Sequence, residues 1–144
     1  MCTVYDVAAY VLKKCGAMTH LKLQKLAYYS QAWSLVWDEK PLFSEPIEAW
    51  ANGPVVPRLY DKLRQRFEVS ASVLGCGNPD KISAKRKATM DIVLDFYGKK
   101  SSQYLSDLTH MEDPWKNARQ GLASGERGNR EITHAAMAEY YSSL

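Results

Sequence analysis

The stretch THLKLQKLAYYSQAWSLVW, residues Thr19 to Trp37, decides the fold. On a helix at about 100° per residue, Leu35, Tyr28, Leu21, Ala32, Val36, Tyr29, Trp33, Leu26 and Trp37 fill an arc of roughly 200°. An arc that wide is too broad for a helix lying on a surface. It predicts a central helix wrapped by others, with His20, Gln24, Gln31 and Ser34 as its one polar strip. Lys25 breaks the pattern, because it projects between Ala32 and Val36 in the middle of the apolar arc. A lysine there must snorkel outward or find an anion.

Working outward, Thr3 with Asp6 three residues on forms a capping box for a helix from Val4 to Lys14, which Gly16 stops. After the central helix, Glu39-Lys40-Pro41 forbids continuation. Ile47, Ala49 and Ala51 alternate with Glu48 and Trp50, which reads as one short strand or extended arm. Its expected partner is a weak strand near Glu68 to Val73, or an edge in another protein. Asn52-Gly53-Pro54-Val55-Val56-Pro57 is a stiff extended turn, since each proline pushes the preceding residue out of the helical region and Pro57 can open a helix. That helix is expected over Pro57 to Phe67. Residues 68 to 82 are the least patterned part of the chain.

Ser83 caps a helix through Tyr97 whose Met90, Val93, Leu94 and Tyr97 face the core. Ser101 or Ser102 caps another, bearing Tyr104, Leu105 and Leu108. Pro114 fits the first turn of a short helix capped by Asp113, with Glu112 at the same positive end. After a polar loop from Gly121 to Arg130, Thr133 caps the last helix. The sum is a mainly α, single compact domain over residues 1–144, of about six helices, with a strand or arm near residues 46–51.

The chain has 144 residues, 46% of them apolar and 24% charged, enough to close one core without metal or disulfide staples. A net charge of +3 is well short of a dedicated duplex-DNA binder, so charge selects no partner. Cys2, Cys15 and Cys76 show no CxxC pair, which supports neither a disulfide framework nor a zinc site, and no cofactor is implied. No apolar run reaches the roughly 18 residues of a membrane span. No signal-peptide pattern is visible, and a cytoplasmic location is expected.

His110, Glu112 and Asp113 are the one ionisable cluster that resembles chemistry, and a hydrolase would use His110 as its base. No nucleophile elbow, HExxH, Walker loop or GxGxxG accompanies it, so no catalytic residue is assigned. A better use of Lys25, His110, Glu112, Asp113 and Trp115 is structural, with the carboxylates neutralising Lys25. Basic side chains at positions 58, 62, 64, 66, 81, 85, 86 and 87 could contact phosphates. Nucleic acid is nonetheless disfavoured, because base-reading Asn and Gln are sparse on those helices.

Three stretches together carry a resemblance: LKLQKLAYYSQAW (Leu21 to Trp33), KPLFSEPIEAWANGPVVPRLY (Lys40 to Tyr60) and LTHMEDPWKNAR (Leu108 to Arg119). In order and spacing they resemble the Panacea domain family, a phage-associated, GepA-like group that includes SocA-like antitoxins. Ser30 and Ala32 stand where that family usually has Ala and Gly. The resemblance implies a helical antitoxin that neutralises a toxin encoded nearby by direct contact, and for some members an adaptor that hands the toxin to a Clp-type protease. A phage or prophage regulator that binds DNA is the alternative. The expected partner-binding surface is Trp50, Asn52, Gly53, Pro54, Val55, Val56, Pro57, Arg58 and Tyr60, with the polar strip of the central helix beside it. A rigid loop of this kind loses little entropy on docking.

Overall fold

In the computed structural model, which describes residues 2–144, the Thr3 side chain accepts the Asp6 N–H while the Asp6 carboxylate accepts the Thr3 N–H. This reciprocal cap opens α1, Val4–Cys15. Strand β1, Met18–Thr19, leads into α2, His20–Trp37, where the Thr19 hydroxyl accepts the Lys22 N–H. The chain continues through β2 (Ile47–Trp50), β3 (Gly53–Val55), α3 (Pro57–Lys62), β4 (Glu68–Val69), α4 (Ala71–Leu74) and a single 3-10 turn at Pro79–Lys81. It closes with α5 (Ala84–Tyr97), α6 (Ser102–Met111), α7 (Asp113–Ala118), β5 (Glu131–Ile132) and α8 (His134–Ser142). The fold is mainly α, as expected, with eight α-helices among the described residues where about six were anticipated; the four-residue α4 was not foreseen.

Helix α2 is the hub: α1, α5, α6, α8 and β3 all pack against it. Every residue from Leu23 to Ala32 is buried, so the helix is enclosed all round over those turns. Aromatic rings fill the space around it. Tyr29 stacks on Tyr97 at 4.0 Å, and the Tyr28 and Tyr141 hydroxyls lie 3.0 Å apart. Burial is not uniform along the arc, for Leu21 and Trp37, near the two ends of the helix, are 48% and 46% exposed.

Several expectations are corrected. Helix α3 stops at Lys62 rather than Phe67: Leu63 N bonds both Leu59 O and Tyr60 O, and Gln65 turns left-handed at φ 66°. The strand at Glu68–Val69 exists but pairs antiparallel with β1, not with the arm. Strand β2 instead sits at the centre of a three-stranded antiparallel sheet, β3–β2–β5, with Trp50 opposite Gly53 and Ile47 opposite Ile132. The stiff turn is therefore a two-residue hairpin, Ala51–Asn52, followed by a buried strand. Asp113 is the first residue of α7 and Glu112 its cap position, without a side-chain capping bond.

Candidate functional site

The polar strip of α2 holds the connection that builds the site. Gln31 Oε1 accepts Leu42 N at 2.6 Å and Phe43 N at 3.3 Å, while its Nε2 donates to Phe43 O at 2.7 Å. Ser34 Oγ donates to Lys40 O at 3.0 Å. Gln24 Oε1 accepts Val56 N at 2.9 Å, tying down the residue just before α3. All three side chains are buried, which corrects the expectation that this strip offers a polar surface. It is internal scaffolding for an irregular segment whose backbone has no ladder partner. Arg86, one of the basic side chains that could have contacted phosphates, joins it by donating to Ser34 Oγ and Pro41 O at 2.7 Å each.

The hairpin turn is gripped from the other side by the end of α6 and by α7. Ser106 Oγ donates to Asn52 O, His110 Nε2 to Ala51 O and Trp115 Nε1 to Trp50 O, at 3.1, 3.2 and 2.8 Å. His110 also packs edge-on against Trp115, with centroids 4.1 Å apart. Arg119 Nη1 donates to Ala49 O at 3.1 Å, and its other amino group holds the carbonyls of Ala123 and Glu126. One guanidinium thus fastens the 120–130 loop to β2. Sequence reasoning quoted Arg119 inside a motif but gave it no role.

Glu112 turns away from this contact. Its carboxylate accepts Tyr29 and Tyr141 hydroxyls at 2.7 and 2.8 Å, and burial pushes it above the usual carboxylate range against those two donors. The expected neutralisation of Lys25 by His110, Glu112 and Asp113 is not found. Lys25 is 1% exposed, takes part in none of the ion pairs among the described residues, and donates no hydrogen bond among them. Burial pushes its ammonium down to about 8. Its end lies under the hairpin: a Cβ on Gly53 would stand 2.5 Å from Lys25 Cε and 3.0 Å from Nζ. Gly53 also holds φ 123°, open only to glycine, so the turn closes over the lysine because no side chain intervenes.

Between the start of α2, the hairpin, α3 and the 127–129 segment lies a groove of about 590 Å³. Its wall is aromatic: His20 stacks on Tyr60 at 5.5 Å, and Trp50 meets Tyr60 edge-on at 4.9 Å. Leu21, Asn52, Val55, Arg127 and Asn129 complete the lining. Burial, and next the Lys25 ammonium, lower the His20 pKa, so the ring is neutral at pH 7. That agrees with Gln24 Nε2 lying 3.0 Å from His20 Nε2, where the amide donates and the ring accepts.

Of the residues expected to face a partner, Trp50, Asn52, Pro57, Arg58 and Tyr60 reach the surface. Gly53, Pro54, Val55 and Val56 are buried, although Val55 still lines the groove. Leu21 and the 127–129 segment were missed, because a loop distant in sequence carries no periodic signal to place it. Among the described residues no group of three or more His, Cys, Asp or Glu could hold a metal ion, and no helix is long and apolar enough to cross a membrane.

Residues 23–116 match the family model described as "Antitoxin SocA-like, Panacea domain". The match contains the whole of the second motif stretch and all but the first two residues of the first and the last three of the third. No curated protein and no solved structure matches the chain.

Proposed function

Because this chain belongs to the SocA-like, Panacea-domain antitoxin family, we propose that it neutralises a toxin encoded beside it by binding and occluding that protein, without catalysis. The family match over residues 23–116 carries this reading. The groove supports it, since aromatic side chains in a concave, well-braced surface are where protein interfaces concentrate their binding energy. So does His110, the one candidate base, which gives its Nε2 to the Ala51 carbonyl and its ring to Trp115. Delivery of the bound toxin to a Clp-type protease belongs to the same reading as a later step.

The test is co-expression with each adjacent reading frame. Relief of growth arrest by one neighbour, together with a complex that survives size-exclusion chromatography, is the expected result. Failure with every neighbour would overturn the assignment. If relief persists but the toxin vanishes in a protease-proficient strain and accumulates in a protease-deficient one, the adaptor step is present as well.

A further inference from the structure

We propose that the groove beside the β2–β3 hairpin receives an extended acidic segment of the partner protein, seating an apolar side chain against Trp50 and Tyr60 and a carboxylate against Arg127. This rests on the antitoxin reading and names the chemistry that the toxin presents to it.

Shape comes first. About 590 Å³ falls within the roughly 300–1,000 Å³ of pockets that take drug-sized ligands, which suits a few residues of extended chain better than a whole helix or a flat face. Its apolar content sits where an incoming side chain would land: Leu21 is 48% exposed and Trp50 and Tyr60 are half-buried. Asn52 and Asn129 at the rim offer amides to the backbone of an extended strand.

Charge then selects the occupant. No carboxylate lines the groove. The nearby Glu48 carboxylate lies outside the lining and is turned onto Trp50 Nε1, at 2.8 Å, and Asp61 pairs with Arg64 at 2.7 Å. Arg127 lines the groove, is exposed, and makes no ion pair among the described residues. Behind the hairpin the Lys25 ammonium is also without a carboxylate, and its field is felt at His20 on the groove wall. Two uncompensated cations and a neutral imidazole give a concave surface of positive potential, and low-dielectric walls focus that potential on whatever enters. An acidic segment gains from both cations, whereas a basic one is repelled by both.

The experiment uses the full chain and the product of the adjacent reading frame that it neutralises, with the dissociation constant measured by calorimetry at low and high salt. Arg127→Glu should weaken the complex at least about tenfold and flatten its salt dependence, while Arg127→Lys retains most of the affinity. Leu21→Asp should weaken it by a comparable factor through the apolar seat. Both residues are exposed, so circular dichroism and melting temperature should match the wild type. If the wild type neutralises no neighbour, the antitoxin reading has failed. If it neutralises one and both variants bind as tightly as wild type, the toxin docks elsewhere and this proposal is wrong. Affinity that rises in Arg127→Glu would mean a basic occupant and would equally overturn it.

Discussion

Two sides of helix α2 bury polar groups, and they treat them differently. On the side facing residues 40–43 and Val56, Gln24, Gln31 and Ser34 are sealed from solvent and bonded to backbone groups there. On the side facing the hairpin and α6, Lys25 is as deeply buried and, among the described residues, pairs with no carboxylate. The contrast separates two uses of polarity in a core. Satisfied groups specify one path for a segment that has no ladder to follow. An unpaired cation adds nothing of that kind and carries its desolvation cost instead.

The sharpest way to break the comparison is to remove a satisfied group. Gln31→Leu keeps the volume but leaves Leu42 N, Phe43 N and Phe43 O without their partner. Each buried orphan costs about 1–3 kcal/mol, so a loss of about 3 kcal/mol or more is expected, read as a fall in melting temperature of roughly 10 °C. The groove should suffer too, since this arm leads into β2. A loss under about 1 kcal/mol would mean that water replaces the glutamine readily and that the strip is not the brace described here.

Lys25→Met should act in the opposite direction. Methionine fills similar space with no charge to desolvate, and the drop of the lysine pKa from 10.5 to about 8 corresponds to about 3 kcal/mol at most. Between those two values the unfolded chain binds more protons than the folded one, so wild-type stability rises with pH from about 8 toward about 10. Above about 10 the trend reverses, because burial raises the pKa of Tyr28, Tyr29 and Tyr141 and only the unfolded tyrosines ionise there. The tyrosines are common to both chains, so the variant should lead the wild type most at pH 7, by a margin that shrinks steadily as pH rises through about 10, in melting curves recorded across that range. Lower stability of Lys25→Met at pH 7 would mean that the ammonium has a partner. A variant that is more stable and also binds the toxin less well is what the groove proposal requires.

The same contrast explains what could be read without coordinates. Caps were legible because they are local: Thr3, Ser83 and Thr133 each accept a backbone N–H three residues ahead. The enclosure of α2 was legible from the width of its apolar arc. The fate of Gln24 and Gln31 was not, since a polar strip facing water and one facing a backbone have the same periodicity. Strand β3 hid behind Pro54, a residue that argues against a strand, and β5 is two residues long with nothing to alternate. Nor could spacing tell that Glu112 would meet phenols instead of Lys25, because a helix end can turn its carboxylate either way. The groove depends on these unread contacts, which is why only part of its lining was anticipated.

The smallest test concerns Ser30. Its hydroxyl is fully buried within α2 and has no partner, at a position where alanine would fit the helix at least as well. Removing an unsatisfied hydroxyl relieves its desolvation penalty and leaves a void of one oxygen, so Ser30→Ala should stabilise by about 1 kcal/mol and raise the melting temperature by roughly 3 °C. Because Ser30 lies on the buried turns of α2 and lines no part of the groove, toxin affinity should stay at the wild-type value. That separates it from Lys25, where stability and binding should move in opposite directions. Should Ser30→Ala lose stability instead, an internal water satisfies the hydroxyl.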